Sequence, residues 1–179
     1  MAEEKPSRNE EAPEELLAHL LMEMSMTLST AESCTGGLIA AKLTSVPGVS
    51  AVYAGGFVTY ATKEKTKMLG VPAKVLKELG AVAKKTAKLM AEGAAKKTGT
   101  DCAVSVTGNA GPVPMEGKPV GLVYIGYCID GKAGAKKFQF AGSRNEIREQ
   151  AADAALALLY RKLMKKTGKE VDEETAHEQ

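Results

Sequence analysis

The chain has 179 residues, of which 44% are hydrophobic, 26% are charged and 4% are aromatic. Because a domain of this size removes about 70% of its unfolded surface from water, length and composition predict one soluble globular domain. The 24 basic and 22 acidic residues give a formal charge of +2, which is too small to indicate a nucleic-acid partner, because such binding relies on a clustered excess of Lys and Arg. No apolar run of about 18 residues is present, so no membrane span is predicted.

The two ends of the chain differ from the rest in composition. Segment 1–13 is acidic and polar and segment 165–179 is charged, so we predict two flexible tails around a domain over 14–164. The first segment has no apolar stretch of the kind found in a secretory signal.

The cysteines, Cys34, Cys102 and Cys128, are odd in number and form no CxxC pair, unlike a disulfide framework or a zinc site. These features predict a cytoplasmic protein.

Hydrophobic spacing in the first half of the chain alternates between helical and extended patterns. It predicts a helix over 14–24, a strand over 26–30, a helix over 38–43 and a strand over 52–60. Gly55 and Gly56 interrupt the second strand, which indicates a bend or bulge there.

The second half continues the alternation. It predicts helices around 63–68, 72–79 and 84–97, strands over 101–106, 120–129 and 135–140, and a last helix over 144–164. Asp130-Gly131 is typical of a hairpin turn, so the last two strands are predicted to be antiparallel within a mixed sheet. Ser143 is expected to cap the last helix.

The turn between the first predicted strand and the second helix is rich in hydroxyls and glycines. We expect Ser33, Thr35, Gly36 and Gly37 to converge at the helix N-terminus, where backbone N–H groups bind a phosphate or an oxyanion. No histidine is near them, so a serine nucleophile in this region would need another base, such as a neutral lysine. Ser33 competes for the nucleophile role, although it lacks a Gly-x-Ser-x-Gly elbow; a substrate-binding or helix-capping role is favoured for it.

Several separated motifs agree with one known family. They are 31–37 (AESCTGG), 47–50 (PGVS), 56–60 (GFVTY), 69–71 (LGV), 106–108 (VTG), 110–112 (AGP) and 118–121 (KPVG). In this order and spacing the chain resembles, over 14–163, the CinA C-terminal domain family, which contains bacterial nicotinamide mononucleotide (NMN) deamidases. The resemblance implies a three-layer α/β/α sandwich with a mixed, mostly parallel sheet. It also implies hydrolysis of the NMN carboxamide to nicotinate mononucleotide and ammonia, with no metal or other cofactor.

The resemblance also implies the catalytic residues. Ser50 would be the nucleophile, Lys65 its base and Tyr60 an assisting group. Lys65 can act as a base only if its pKa falls well below about 10.4, and the neighbouring Lys63 and Lys67 offer some like-charge pressure toward that. Taken alone, Ser50 would be an ordinary turn residue after Pro-Gly.

Further residues match positions that line or support the site in the family. With the turn residues already named, the expected substrate-binding set is Ser33, Thr35, Gly36, Gly37, Thr107, Gly108, Asn109 and Arg144. Arg144 would hold the mononucleotide phosphate through its planar guanidinium. Asn109 and the segment 113–115 depart from the family pattern, which leaves the substrate preference open.

Two other functions stay open. The chain could be a non-catalytic accessory module in competence or the DNA-damage response, or a hydrolase of another small amide or nucleotide. The expected partners are a small nucleotide substrate, NMN, and further copies of the chain in a homo-oligomer, without direct contact to nucleic acid or membrane.

Overall fold

A computed structural model describes residues 11–168 of the chain. In chain order these residues form α1 (Pro13–Met24), β1 (Leu28–Glu32), α2 (Leu38–Thr44), a 3-10 turn (Val49–Ala51), β2 (Tyr53–Val58), α3 (Thr62–Leu69), α4 (Ala73–Leu79), α5 (Lys84–Thr98), β3 (Cys102–Gly108), β4 (Leu122–Ile129), β5 (Lys132–Gln139) and α6 (Arg144–Thr167). Most of the predicted tails, 1–13 and 165–179, lies outside the described residues. Where they are described, α1 begins and α6 ends slightly beyond the predicted limits of 14 and 164.

The strands form one mixed sheet in the order β2-β1-β3-β4-β5. Strand β1 is parallel to both β2 and β3, whereas β4 is antiparallel to β3 and β5. Helices α1, α2 and α6 pack together on one face, and α3, α4 and α5 pack on the other. The three-layer α/β/α architecture is therefore confirmed, and the parallel pairing is confined to the β2-β1-β3 half of the sheet.

The central strand β1 is buried along its whole length, although it carries polar side chains. The Ser29 hydroxyl lies 2.9 Å from the Thr100 hydroxyl, and the Thr30 hydroxyl lies 2.8 Å from the phenol oxygen of Tyr53. Buried hydroxyls without such partners would be destabilising. Strand β1 can therefore lie in the middle of the sheet.

Most predicted elements are present, with small shifts. The first strand begins and ends two residues later than predicted, because the buried run continues through Glu32. The bulge falls at Ala54, where the register moves from Leu28 opposite Tyr53 to Ser29 opposite Gly55.

The predicted turns at the end of the chain are confirmed. Asp130 and Gly131, which join β4 to β5, have φ angles of 48° and 75°, as a two-residue type I′ hairpin turn requires. Ser143 caps α6, because its hydroxyl accepts a hydrogen bond from the Glu146 N–H.

Two apolar cores lie on opposite faces of the sheet. The larger core is rich in leucine and isoleucine from α1, α2 and α6, and the smaller one is built from alanine, methionine and leucine of α3 and α5. Aliphatic side chains of this kind fill most of the core of a chain that is only 4% aromatic. No helix within residues 11–168 is long and apolar enough to cross a bilayer.

Candidate active site

The candidate site lies where the parallel strands end. Ser33 directly follows β1, and its N–H donates to the Val106 carbonyl of β3. Thr59 directly follows β2, and its N–H donates to the Glu32 carbonyl. The carboxyl ends of parallel strands are the usual location of ligand sites in open α/β sheets. The fold therefore brings the hydroxyl-rich turn and the 59–65 segment to one edge.

Lys65 is the polar residue at the centre of this edge. Its ammonium donates to the Ser33 hydroxyl at 3.0 Å and to the Thr59 carbonyl at 2.7 Å. Lys65 is 0% exposed and Ser33 is 8% exposed, so the hydrogen bond between the amine and the hydroxyl is buried. When Lys65 is neutral, the same contact can reverse, with Ser33 donating its proton to the amine.

Burial lowers the pKa of Lys65 from 10.5 to about 8, against the opposing effect of Cys34 and Glu116. About a tenth of the amine is then neutral at pH 7, which is enough to serve as a general base. The neutral form of Lys65 is favoured because burial removes water from around its amine. Lys63 and Lys67, on the same helix, remain exposed to water.

The structure does not bring Ser50 to Lys65. Ser50 is exposed in the 3-10 turn before β2. At that end of the strand, the Val52 carbonyl accepts from the N–H of Leu28, the first residue of β1. Lys65 binds the backbone at the opposite end of β2, and a strand of six residues separates its ends by roughly 20 Å. The pairing of Ser50 with Lys65 is therefore corrected to a pairing of Ser33 with Lys65.

The turn after Ser33 has a defined backbone geometry. The Ser33 carbonyl accepts from the Gly36 N–H at 3.0 Å, which closes a four-residue turn with Cys34 and Thr35 in its centre. Gly36 and Gly37 have φ angles of 61° and 102°, which residues with a Cβ adopt only at a cost. The Ser33 N–H donates to β3, and the Gly36 and Leu38 N–H groups donate to carbonyls of the turn, whereas no backbone hydrogen bond among residues 11–168 uses the N–H groups of Cys34 and Thr35. These two N–H groups directly follow the candidate nucleophile.

The N-terminus of α2 is occupied by a protein carboxylate. Glu32, which is 1% exposed, accepts from the N–H groups of Gly37, Ile39 and Ala40 at 2.9, 3.1 and 2.9 Å. A carboxylate at this position satisfies the free N–H groups and the helix dipole. The expected phosphate or oxyanion cradle at Gly37 is thus filled by Glu32.

Three residues expected to bind the substrate, Thr107, Gly108 and Asn109, lie at the end of β3, and each has a structural role there. The side chains of Thr107 and Asn109 form hydrogen bonds within the protein. The Thr107 hydroxyl donates to the Ala81 carbonyl at 2.8 Å. The Asn109 amide donates to the Val113 and Lys118 carbonyls, and its oxygen accepts from the Gly111 N–H. Both side chains are 1% exposed. Both side chains therefore hold the loop after β3 through hydrogen bonds within the protein.

Close packing against β4 explains why position 108 is a glycine. A Cβ at Gly108 would lie 2.6 Å from a methyl group of Val123 and 2.9 Å from the Leu122 carbonyl. Strand β4 therefore approaches too closely for a side chain at this position.

Arg144 and Tyr60 meet at the exposed side of the site. The Arg144 guanidinium donates to the Tyr60 phenol oxygen at 2.7 Å and also to the Gly111 carbonyl. Tyr60 is 59% exposed. Among the described residues, neither side chain is hydrogen-bonded to Ser33 or Lys65. Tyr60 directly follows Thr59, which binds Lys65, so we call the exposed side of the site marked by this pair its entrance.

Arg148, one helical turn after Arg144, was missed by the sequence analysis. Its guanidinium donates to the carbonyls of Cys34 and Thr35 at 3.1 and 3.0 Å. The i, i+4 spacing of two arginines at the start of α6 was a usable signal, since such residues share one helix face.

Cys34 is not a competing nucleophile. It is 6% exposed, and burial raises the pKa of its thiol from 9.0 to about 11, so the reactive thiolate is scarce at neutral pH. Within residues 11–168, no group of three or more His, Cys, Asp and Glu residues is placed to hold a metal ion.

The fold and site define a three-layer α/β/α protein with a buried lysine bonded to a serine at the carboxyl edge of its parallel strands. The family model of the CinA C-terminal domain matches residues 10–163. The chain belongs to this family.

Relatives and solved structures agree with this assignment. The CinA-like proteins of Kosmotoga olearia and Dictyoglomus turgidum are 48% and 49% identical, over 87% and 84% of this chain. The chain spans only 38% and 37% of the length of these two relatives.

The fold is also found in crystal structures of bacterial proteins. A competence-damaged protein (CinA) superfamily member from Klebsiella pneumoniae has a TM-score of 0.83 and 32% identity, covering 86% of this chain and 96% of its own. The competence/damage inducible protein of Agrobacterium tumefaciens has a TM-score of 0.78 and 40% identity, covering 84% of this chain and 96% of its own.

Proposed function

We propose that the protein is an amidohydrolase that deamidates NMN through an acyl-enzyme on Ser33, with Lys65 as the general base. The observation that carries the proposal is the 3.0 Å hydrogen bond between Lys65 and the Ser33 hydroxyl, formed by an amine whose pKa burial lowers to about 8. A serine with a neutral lysine is an alternative to a serine–histidine pair. A lysine base also fits a serine that has no histidine near it in the sequence.

The reaction proceeds in two halves. Neutral Lys65 takes the Ser33 proton while the serine oxygen bonds to the carboxamide carbon, and the carbonyl oxygen becomes an oxyanion. The resulting ammonium of Lys65 then protonates the amide nitrogen, the C–N bond breaks and ammonia leaves. Water then attacks the acyl carbon while Lys65 again takes a proton. As the ester C–O bond breaks, the Lys65 ammonium returns that proton to the Ser33 oxygen, which releases the carboxylic acid and regenerates free Ser33 and the neutral amine.

The oxyanion needs hydrogen-bond donors. The N–H groups of Cys34 and Thr35 follow Ser33 in the turn and are not used by its backbone hydrogen bonds. They are the proposed donors.

NMN is proposed as the substrate from the family resemblance and from the charge at the entrance. Arg144 lies there beside Tyr60, and a guanidinium suits a phosphate group. The altered loop around Asn109 is fixed by internal hydrogen bonds, so its effect on specificity would come from its shape rather than from a contact by the Asn109 amide.

The test compares two serines and the lysine by ammonia release from NMN. We expect Ser33→Ala and Lys65→Met to lose activity by at least about a thousandfold, as is usual when a nucleophile or its base is removed. Ser50→Ala is the matched control and should retain activity near that of the unchanged protein.

Two results would contradict the proposal. A folded, unchanged protein without measurable ammonia release from NMN would exclude the deamidase activity. Loss of activity in Ser50→Ala with retention in Ser33→Ala would return the nucleophile to Ser50.

A further inference from the structure

We propose that Arg148 is a positioning residue that orients the Thr35 N–H toward the developing oxyanion; this rests on the proposed function. Arg148 does not contact Ser33 or Lys65 through any hydrogen bond in the described residues. Arg148 instead contacts the backbone of the turn at Cys34 and Thr35, which lies between the Ser33–Lys65 pair and α6.

The guanidinium of Arg148 holds two consecutive carbonyls. Its Nε donates to the Cys34 oxygen at 3.1 Å and its Nη2 to the Thr35 oxygen at 3.0 Å. Its remaining terminal nitrogen, Nη1, lies 3.4 Å from the Asn145 side-chain oxygen, so the fork itself is supported by the first turn of α6. Arginine is suited to this because its planar donors have a fixed spacing.

Holding a carbonyl also fixes the next N–H. In a planar trans peptide the C=O and the following N–H point in opposite directions. Since Arg148 draws the Cys34 carbonyl toward α6, the Thr35 N–H must point away from α6. The Thr35 carbonyl likewise fixes the Gly36 N–H, which donates back to the Ser33 carbonyl and closes the turn.

The site therefore has two arginines with different tasks on one helix face. Arg144 reaches Tyr60 and Gly111 at the entrance, whereas Arg148 reaches the backbone behind the nucleophile. Loss of Arg148 should affect the chemical step and leave substrate binding largely unchanged.

The experiment uses Arg148→Met and Arg148→Lys, with Arg161→Met, further along α6, as a control arginine. We expect Arg148→Met to lower kcat for NMN about ten- to a hundredfold, somewhat less than the loss of a whole oxyanion donor. KM should change by less than about threefold, and the midpoint of the pH profile, set by Lys65, should not move. Arg148→Lys should recover part of kcat, because an ammonium can hold one carbonyl.

A second measurement is independent of NMN. A fluorophosphonate that phosphonylates active-site serines, with loss of fluoride, should label Ser33 at least tenfold more slowly in Arg148→Met than in Arg161→Met, as followed by intact mass. If the unchanged protein is labelled but does not release ammonia from NMN, the proposed substrate fails, and the labelling rates still decide the role of Arg148. Equal labelling rates in folded Arg148→Met and Arg161→Met, or a loss confined to KM, would overturn the proposal. If Arg148→Met does not fold, the same comparison is made with Arg148→Lys.

Discussion

Lys65 and Ser33, 32 positions apart in the chain, are joined by a 3.0 Å hydrogen bond that is buried at the carboxyl edge of the sheet. The contact exists because Ser33 ends the central strand and because the Thr59 carbonyl, at the end of the neighbouring strand, holds the same ammonium at 2.7 Å. Buried ammonium groups are costly unless they are hydrogen-bonded or can lose their proton. The following predictions depend on this pair and its supports.

The rate of NMN hydrolysis should depend on the protonation of Lys65. Since burial lowers the pKa of Lys65 to about 8, kcat/KM should rise about tenfold per pH unit below pH 7 and level off above pH 8 to 9. The Ser50→Ala variant should give the same profile. A profile that is flat from pH 6 to 9 would contradict the role of Lys65 as the base.

Lys65→Met should stabilise the folded protein at neutral pH. The pKa of Lys65 is lowered on folding, so between about pH 8 and 10.5 the unfolded chain binds more protons and the free energy of unfolding rises with pH. Below pH 8 the whole cost of the shift, about 3 kcal/mol, is present in the unchanged protein. The stability advantage of Lys65→Met should therefore shrink by about 2 kcal/mol between pH 7 and 10 in urea denaturation.

The exposed Lys67 provides the matched control for that measurement, because it lies on the same helix, α3. Lys67→Met should show no such pH-dependent difference. An advantage of Lys65→Met that is equally large at pH 7 and pH 10 would show that packing, rather than the buried charge, is responsible.

Glu32→Gln should destabilise the fold and disturb the turn that presents Ser33. The carboxylate accepts three backbone N–H groups at the start of α2, and an amide has only one acceptor oxygen. We expect a loss of about 1–3 kcal/mol in the free energy of unfolding. Glu15→Gln, an exposed capping-box residue that accepts from the Ala12 N–H, should cost less than about 1 kcal/mol. Equal effects of the two substitutions would be evidence against a special role for Glu32.

Tyr60→Phe should weaken substrate binding more than it slows the chemical step. The substitution removes the phenol oxygen that receives a 2.7 Å hydrogen bond from Arg144, so the guanidinium loses one of its two fixed partners. We expect KM for NMN to rise severalfold, with kcat changed by less than about threefold. Tyr160→Phe on α6 serves as a control, and a hundredfold fall in kcat for Tyr60→Phe would instead show direct participation in proton transfer.

The sequence predicted the order of helices and strands well, since those patterns depend on neighbouring residues. Alternating apolar and helical spacing located α1, α2 and α5 to within a residue or two at each end, and Asp130-Gly131 correctly predicted the hairpin. It placed β1 two residues early, because a buried polar residue such as Glu32 does not look like strand interior until its partners are known.

The functional residues were predicted less completely. Lys65 and Arg144 lie at one edge of the sheet. The local sequence pattern, however, could not show which serine lies beside Lys65. Ser33 begins a turn and Ser50 follows Pro47-Gly48, so both lie at turns in the sequence, and only the direction of β2 separates them by the length of a strand. The hydrogen bonds of Thr107 and Asn109 were not predicted either: the Thr107 hydroxyl donates to the Ala81 carbonyl, 26 positions away, and the Asn109 amide donates to the Lys118 carbonyl within its own loop.

The sequence by itself determined the α/β class and the family resemblance, and it placed a lysine, Lys65, among the candidate site residues, because each depends on residue types and their spacing. Only the tertiary structure decided that the lysine is buried, that Ser33 is its partner, and that Glu32 and Arg148 hold the turn between them. Burial and hydrogen bonding of this kind arise when segments far apart in the chain pack together, so no local pattern can encode them.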